Sequence, residues 1–402
     1  MTIALNPETS GELLFDFGLQ PVSNRFPTDK TESVPGFPMQ LRIEPDSGLI
    51  HLGKPFPVEA LKPRYDWLTC FEPEDHLDDL AEKLTKLPGV TTKSVFGAYS
   101  FKDDSTLARL AALGYQRQWR IDPAQDLRVE DPCANVETYQ MALTRERADE
   151  IRERRGAADV MIVRHVIEHA YDLPGFIAAI RSMVSPGGYI VWELPDCERA
   201  LNAGDCTTIW EEHIYYFTAF TFRQLLLQAG FTIDYYDSVN YPLENSLVAI
   251  VRDMQAAASA ASPDPVEVEK EIVRAHNFVQ AVTGRKGRLR NRLAAIRKQH
   301  GNIAIFGAGH LTSAFLSLMG VADLVCCVID DNPNKKGRVM PVGGLDIVGS
   351  DALYSGDIGV CLLGLNPQNQ PKVIARHQKF VEQGGIFASI FPGSSLDMES
   401  IP

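Results

Sequence analysis

The stretch Thr207-Thr208-Ile209-Trp210-Glu211-Glu212-His213-Ile214-Tyr215-Tyr216-Phe217 gathers two carboxylates, an imidazole and several aromatic rings just after Trp192-Glu193-Leu194-Pro195-Asp196, which reads as a strand end. An imidazole titrates near neutrality, so it can withdraw a proton at physiological pH, and a neighbouring carboxylate can orient the ring and stabilise its cation. His213 beside Glu212 is therefore a candidate general base. The plainer alternative is a structural histidine.

A second cluster is Arg164-His165-Val166-Ile167-Glu168-His169. On a helix, His165 and His169 would share a face, and the H-x-x-E-H spacing is that of an inverted zinc motif. The segment follows an apolar strand pattern, Asp159-Val160-Met161-Ile162-Val163, and precedes Asp172-Leu173. It is read as a loop and short turn over a ligand pocket, and no metal is expected.

These residues need a frame. Ser94-Val95-Phe96-Gly97 and Gln118-Trp119-Arg120-Ile121-Asp122 read as strands, as does Gly188 to Glu193 after the turn Ser185-Pro186-Gly187-Gly188. Helical patterns cover Asp78 to Leu87, Thr106 to Leu113, Leu173 to Val184 and Thr221 to Ala229. Two late strands span Thr232 to Tyr236 and Ser246 to Arg252. Such alternation predicts a mostly parallel sheet with helices on both faces, and ligands of such sheets bind at the carboxyl ends of the strands. Gly97 lets backbone approach a ligand there. Asp122 is placed to accept hydrogen bonds from a ribose diol. Arg164 and His165 lie beside where an adenine or sulfonium would sit.

The chain is predicted to comprise a small β-rich N-terminal lobe over 1–75, an α/β domain over 76–253, a linker and helices over 254–299, and a second Rossmann-like domain over 300–402. The linker is the Ala/Ser/Pro-rich stretch Met254 to Pro265, and the helical pattern Val266 to Gln299 is read as interrupted near Gly284 and Gly287. Gly307-Ala308-Gly309-His310-Leu311-Thr312, with Asp330 about 20 residues on, approaches a dinucleotide fingerprint. Thr312 stands where its third glycine belongs, so a nucleotide fold with a tight glycine turn is the preferred reading over dinucleotide binding.

The formal charge of −13 disfavours nucleic acid, because phosphate binding needs clustered Lys and Arg. The basic run Arg285 to Arg290 reads as the solvated face of a helix. With 45% hydrophobic residues, globular folding is expected. No start segment resembles a secretion signal and no apolar run approaches the ~18 residues of a membrane span, so a cytoplasmic protein is expected. Seven cysteines without C-x-x-C spacing read as reduced thiols, not as a disulfide frame or zinc site.

Several segments resemble one family in order. Phe15-Asp16-Phe17-Gly18-Leu19-Gln20-Pro21-Val22-Ser23-Asn24-Arg25-Phe26, Leu61 to Trp67, Asp159 to Leu173, Trp210 to Phe217 and Asp330 to Arg338 are similar to signatures of the three-domain sugar C-methyltransferases of deoxysugar biosynthesis. The resemblance implies a class I methyltransferase domain, S-adenosylmethionine (SAM) as cofactor and a nucleotide-linked ketosugar as substrate. His213 would be the base, with Glu212 and Tyr65 beside it. Gly97, Ser100, Asp122, Arg164 and His165 would meet the cofactor, and Trp67, Trp210, Tyr216 and Asn245 the substrate. The C-terminal domain would complete the substrate cleft with no redox role.

Three departures stand out. Glu44-Pro45-Asp46-Ser47 replaces one C-x-x-C of the family's zinc-binding lobe, and Asn6 to Ser10 carries no thiols, so no zinc is expected. The glycine-rich cofactor loop reads Gly97-Ala98-Tyr99-Ser100-Phe101-Lys102-Asp103-Asp104. Trp210 and Glu211 replace a Tyr and a His of the active-site segment. A SAM-dependent methyltransferase is expected. An epimerase or isomerase using His213 on the same scaffold is the alternative. The sequence sets no oligomeric state.

Overall fold

The computed structural model describes residues 10–68, 72–253 and 262–401. Most of the expected linker, together with Asn6 to Thr9 and Cys70, lies outside them. The chain divides into two compact units, one of residues 1–12, 42–197 and 212–271, the other of residues 13–41, 198–211 and 272–402. The stretch 1–75 read as one N-terminal lobe is thus shared between them.

Among the described residues, ten strands precede the long helix: β1 (Glu12–Pro21), β2 (Gly36–Ile43), β3 (Ile50–Leu52), β4 (Phe96–Ala98), β5 (Gln118–Arg120), β6 (Ala158–Arg164), β7 (Val184–Asp196), β8 (Tyr215–Tyr216), β9 (Phe231–Val239) and β10 (Asn245–Asp253). The first unit is built on a six-stranded sheet of order β5-β4-β6-β7-β10-β9. β5, β4, β6 and β7 run parallel, while β10 pairs antiparallel with both β7 and β9. This is a Rossmann-like α/β architecture, with the two late strands at the edge. Alternate residues of a strand face opposite sides. In β6, Val160 and Ile162 pack with Leu77, Leu80 and Leu84 on one face, while Met161 and Val163 pack with Leu173, Ile177 and Ile180 on the other. Burial on both faces explains the unbroken apolar run. The turn expected at Ser185–Gly188 lies within β7 as a bulge: pairing jumps from Ala158–Val184 to Val160–Tyr189.

Charged side chains close the carboxyl ends of β6 and β7. Arg164 Nε donates to Glu193 at 2.6 Å, with both side chains fully buried. His165 Nε2 lies 3.1 Å from Glu193, and His76 Nε2 lies 3.3 Å from it. Ser246 donates to the same carboxylate at 3.0 Å. Lys102 and Glu72 pair at 2.7 Å, and Glu72 lies 3.5 Å from His165 Nδ1. Burial alone would raise the Glu72 pKa, but His165 and Lys102 outweigh it and hold the carboxylate at about 2.

In the second unit β1 and β2 are neighbours in one sheet. A separate parallel sheet has the order β13-β12-β11-β14-β15, from β11 (Asn302–Phe306), β12 (Val325–Ile329), β13 (Ile347–Val348), β14 (Ile358–Leu363) and β15 (Ile386–Ser389). The segment 265–300 forms one continuous helix, Pro265–His300, not the interrupted pattern expected. Ala275, Phe278, Val282, Leu289, Leu293 and Ile296 are buried at spacings of three, four and seven, one face of a helix, and this apolar stripe outweighs the cost of two glycines. The basic run is not wholly solvated, since Arg285 is buried and donates to the Ile390 carbonyl at 3.0 Å. At the glycine turn, Asp330 accepts from Ala308 N at 2.9 Å, and Lys335 donates to the Ala308 carbonyl at 2.6 Å.

Two outcomes follow from these packings. A Cβ at Gly287 meets no atom within 4 Å, so Gly287→Ala raises stability by about 0.5–1 kcal/mol, read as a higher thermal midpoint. Glu72 has a depressed pKa, so its contribution is present above the unfolded carboxylate pKa and is lost as pH falls through the window from about 4.3 to 2. Acid titration of stability has a steeper slope in the wild type than in Glu72→Gln over that window, a difference of at most about 3 kcal/mol.

Candidate active site

The site is assembled where the chain leaves β6. His165 adopts a positive φ of 51°, uncommon for a residue with a side chain, and its N–H donates to the Glu193 carbonyl at 2.6 Å. The chain then makes a 3-10 turn over Ile167–His169. His165 and His169 are consequently not on one helical face: His165 turns to Glu193 and Glu72, and His169 turns to Glu137. Ile214 is held on the same turn. Its N–H donates to the Glu168 carbonyl at 2.8 Å, and its carbonyl accepts from Leu52 N at 2.8 Å. His51 and Tyr215 pair in the β3–β8 ladder just beyond. These backbone clamps fix the segment that carries His213.

Glu137 arrives from the first turn of the helix Val136–Ala142, whose start is capped by Asn135 accepting from Thr138 N at 3.1 Å. Its carboxylate lies 2.6 Å from His169 Nδ1. A carboxylate only accepts, so Nδ1 carries the proton and Nε2 is the free lone pair of that ring in its neutral form. The rings of His169 and His213 meet edge to face with centroids 4.8 Å apart. Glu168, His169 and His213 each offer a ligand atom within 4.8 Å of the others, and so do Glu137, His169 and Glu212. Glu137, Glu168, His169 and His213 are buried, and Glu212 is half-buried. Burial, then the charges of Glu137 and Glu212, push the Tyr171 hydroxyl above its usual range. Burial, then Glu137, does the same for Tyr99 in the loop after β4.

That loop is closed internally. Asp103 accepts from Tyr99 N at 3.0 Å, Ser100 N at 2.8 Å and Arg164 N at 3.0 Å. Burial pushes its pKa up to about 7 despite these donors and the Arg164 charge. At Gly97 an added Cβ would stand 2.8 Å from Trp119 and 2.9 Å from Met161. The glycine is therefore needed for strand packing, rather than the open approach expected. Ser100 caps the following turn by accepting from Lys102 N at 3.2 Å. Asp122 caps the short helix Pro123–Asp126, one oxygen accepting from Gln125 N at 2.8 Å.

Arg164 departs most from expectation. Its guanidinium donates to Glu193 through Nε and Nη2, to the Lys102 carbonyl and Ser105 through Nη1, and to the Pro73 carbonyl through Nη2. Five donors are all a guanidinium has, so Arg164 holds the strand ends together and has none left for a cofactor. His165 is likewise turned inward. Tyr65 and Trp67 stack on one another at 4.7 Å. Tyr216 is fully buried in β8, with Ile50 as its ladder partner. Asn245 opens β10 and accepts from Tyr241 N at 3.4 Å. Trp210 and Glu211 belong to the second unit. Trp210 stacks on His310 at 4.5 Å, and the Glu211 carboxylate accepts from Ser23 N at 2.5 Å and Ser23 Oγ at 3.1 Å. The tight cluster of two acids beside one histidine therefore divides, Glu211 going one way and Glu212 with His213 the other. Glu137 was not foreseen; Val136-Glu137-Thr138 reads as any helix start. Glu168 and His169 carried a signal in the H-x-x-E-H spacing, but the wrong partner histidine.

Residues 106–236 match a family model described as a methyltransferase domain, and residues 266–392 match one described as a C-methyltransferase C-terminal domain. The C-methyltransferase NovU of Streptomyces niveus is 23% identical over 282 residues, taking in 68% of this chain and 66% of that protein, just under two-thirds of its length. Among solved structures, a SAM-dependent methyltransferase from Anabaena variabilis aligns with a TM-score of 0.30 and 11% identity over 45% of this chain and 84% of its own. One from Mesorhizobium loti aligns with a TM-score of 0.25 and 13% identity over 44% and 99%. The epimerase or isomerase alternative gains no support from these relatives. Among the described residues no helix is long and apolar enough to cross a membrane. A methyltransferase-domain model and a C-methyltransferase C-terminal model thus match in this order along one chain, and a C-methyltransferase is among the proteins it resembles.

Proposed function

We propose that this protein is a SAM-dependent C-methyltransferase acting on a nucleotide-linked ketosugar or a related small molecule, with His213 as the general base. The observation that carries the proposal is the buried series Glu137–His169–His213 with Glu212 alongside. A hydrogen bond to a carboxylate orients one imidazole, and that ring abuts the second. His213 takes the proton from the carbon beside the ketone, which leaves an enolate carbon as nucleophile. Glu212 assists His213 or holds the sugar, and Tyr65, Trp67, Tyr216 and Asn245 are the substrate contacts proposed alongside it. Trp210 is proposed as a further contact.

The chain's fit to SAM differs between the cofactor's two ends. At the nucleoside end, Asp122 stands at the carboxyl end of β5 with one oxygen used as a helix cap, and Trp119 Nε1 and the Tyr99 hydroxyl are buried without hydrogen-bond partners. These are polar atoms suited to a nucleoside. At the other end, the loop amides of Tyr99 and Ser100 are held by Asp103. Ser100, Gly97 and His165 would meet the cofactor through backbone or after local rearrangement. When bound, SAM supplies an electrophilic methyl group.

Thermal melting with SAM and S-adenosylhomocysteine tests the cofactor. At about 100 times the dissociation constant, a ligand specific to the native state adds about 2.7 kcal/mol; an unchanged midpoint sinks this part of the reading. The base is tested by exchange of the carbon-bound proton of a nucleotide-linked ketosugar with solvent deuterium. His213→Ala slows it by about 10²–10⁴-fold, with thermal midpoint preserved, and Glu212→Gln slows it to a lesser degree. Undiminished exchange in His213→Ala removes His213 as base.

A further inference from the structure

We propose that Glu168, His169 and His213 form a binding site for a divalent cation of borderline softness, Zn²⁺ foremost. Glu168 is 2% exposed, and neither of its carboxylate oxygens has a hydrogen-bond partner. A buried acceptor left in that state is costly unless something else satisfies it. The nearest imidazole nitrogens are His169 Nε2 at 3.7 Å and His165 Nδ1 at 3.9 Å from Oε1. Both are too far for a hydrogen bond. Two ligands on one tetrahedral zinc stand about 3.4 Å apart at ordinary bond lengths, so the Glu168–His169 separation is close to what a shared ion requires. One donor atom from each of Glu168, His169 and His213 lies within 4.8 Å of the others.

The outer partner is already in place. Glu137 holds His169 Nδ1 at 2.6 Å, which leaves Nε2 as the coordinating atom and makes the carboxylate–histidine–metal arrangement found behind zinc ligands. Two imidazoles and one carboxylate are a donor set of catalytic zinc centres, which keep a further position open. The spacing of the sequence motif led to His165, but that ring is committed to Glu193. His213, brought over by the Ile214–Glu168 backbone bond, takes its place. The inference rests on the proposed active site in one respect: the His213 lone pair that would take a substrate proton is the one that binds the ion, so the two uses exclude each other.

The test uses the full chain, dialysed against EDTA and titrated with ZnCl₂ by calorimetry and with CoCl₂ by visible absorption. One ion per chain is expected, with the d–d bands of nitrogen and oxygen ligands and no thiolate charge-transfer band. Glu168→Gln weakens binding by ten-fold or more, and Glu137→Gln weakens it by about 10–100-fold. Cys326→Ser, outside the site, leaves it unchanged. Circular dichroism of the ion-free proteins checks folding. If Glu168→Gln does not fold, the zinc-induced rise in the wild-type thermal midpoint and the cobalt spectrum decide. Failure of the wild type to bind either ion, or binding that follows Cys326 and not Glu168, overturns the proposal. These readouts need neither SAM nor substrate, so they stand apart from the methyl-transfer reading. Zinc that silences proton exchange, with EDTA restoring it, supports both. Exchange that requires the ion keeps the site and removes His213 as base.

Discussion

Between the carboxyl ends of β6 and β7, the Glu193 carboxylate and the Arg164 guanidinium face each other at 2.6 Å with no exposure of either side chain. Two charges removed from water in this way are held only if their remaining donors and acceptors are satisfied, and loss of either partner leaves the other buried and uncompensated. The satisfaction is complete here on the arginine side, whose five donors all find oxygen. On the carboxylate side, His165, His76 and Ser246 add to Arg164. Burial would raise the Glu193 pKa, but Arg164 and the two imidazoles hold it well below the usual carboxylate range. The positive φ of His165, the turn after it and the seat of Ile214 on that turn all depend on this closure.

The same closure changes what the strand ends offer. In a glycine-rich loop, unpaired backbone N–H groups are available to an anionic ligand. Here the N–H groups of Tyr99 and Ser100 already have an anion acceptor of the chain's own, Asp103. The glycine-poor loop and the buried aspartate therefore belong together, and a ligand at that end has to compete with an internal side chain. Asp103 carries a pKa of about 7, so the competitor is easily neutralised.

The histidine cluster lies on the other side of the turn. Glu137 orients His169, and His169 abuts His213, while the Glu168 carboxylate stands between His165 and His169 without a hydrogen-bond partner. Proton abstraction and metal binding make the same demand on an imidazole, an accessible lone pair in a fixed direction. A site built for one is therefore partly built for the other. The orphaned carboxylate is the feature that the base reading alone leaves without a task.

The order of strands and helices and the two parallel α/β sheets were legible in the residues, because apolar periodicity and strand-end turns are local properties. The long helix was legible in extent but not in continuity: glycine disfavours helix locally, and only the buried stripe from Ala275 to Ile296 overrides it. Side-chain partners were not legible. Arg164 and His165 follow a strand end and look ligand-facing in sequence, yet Glu193, Glu72 and Lys102 draw them inward. Glu211 and Glu212 are adjacent, yet they separate to Ser23 and to the histidine cluster. His165 and His169 have helical spacing, but a left-handed residue at the strand end parts them. Sequence determines which elements form, because their patterns span few residues. Which charges meet is decided by tertiary structure, because a buried charge is tolerable only beside a partner, and the partner is supplied by whichever strand or helix the fold brings alongside.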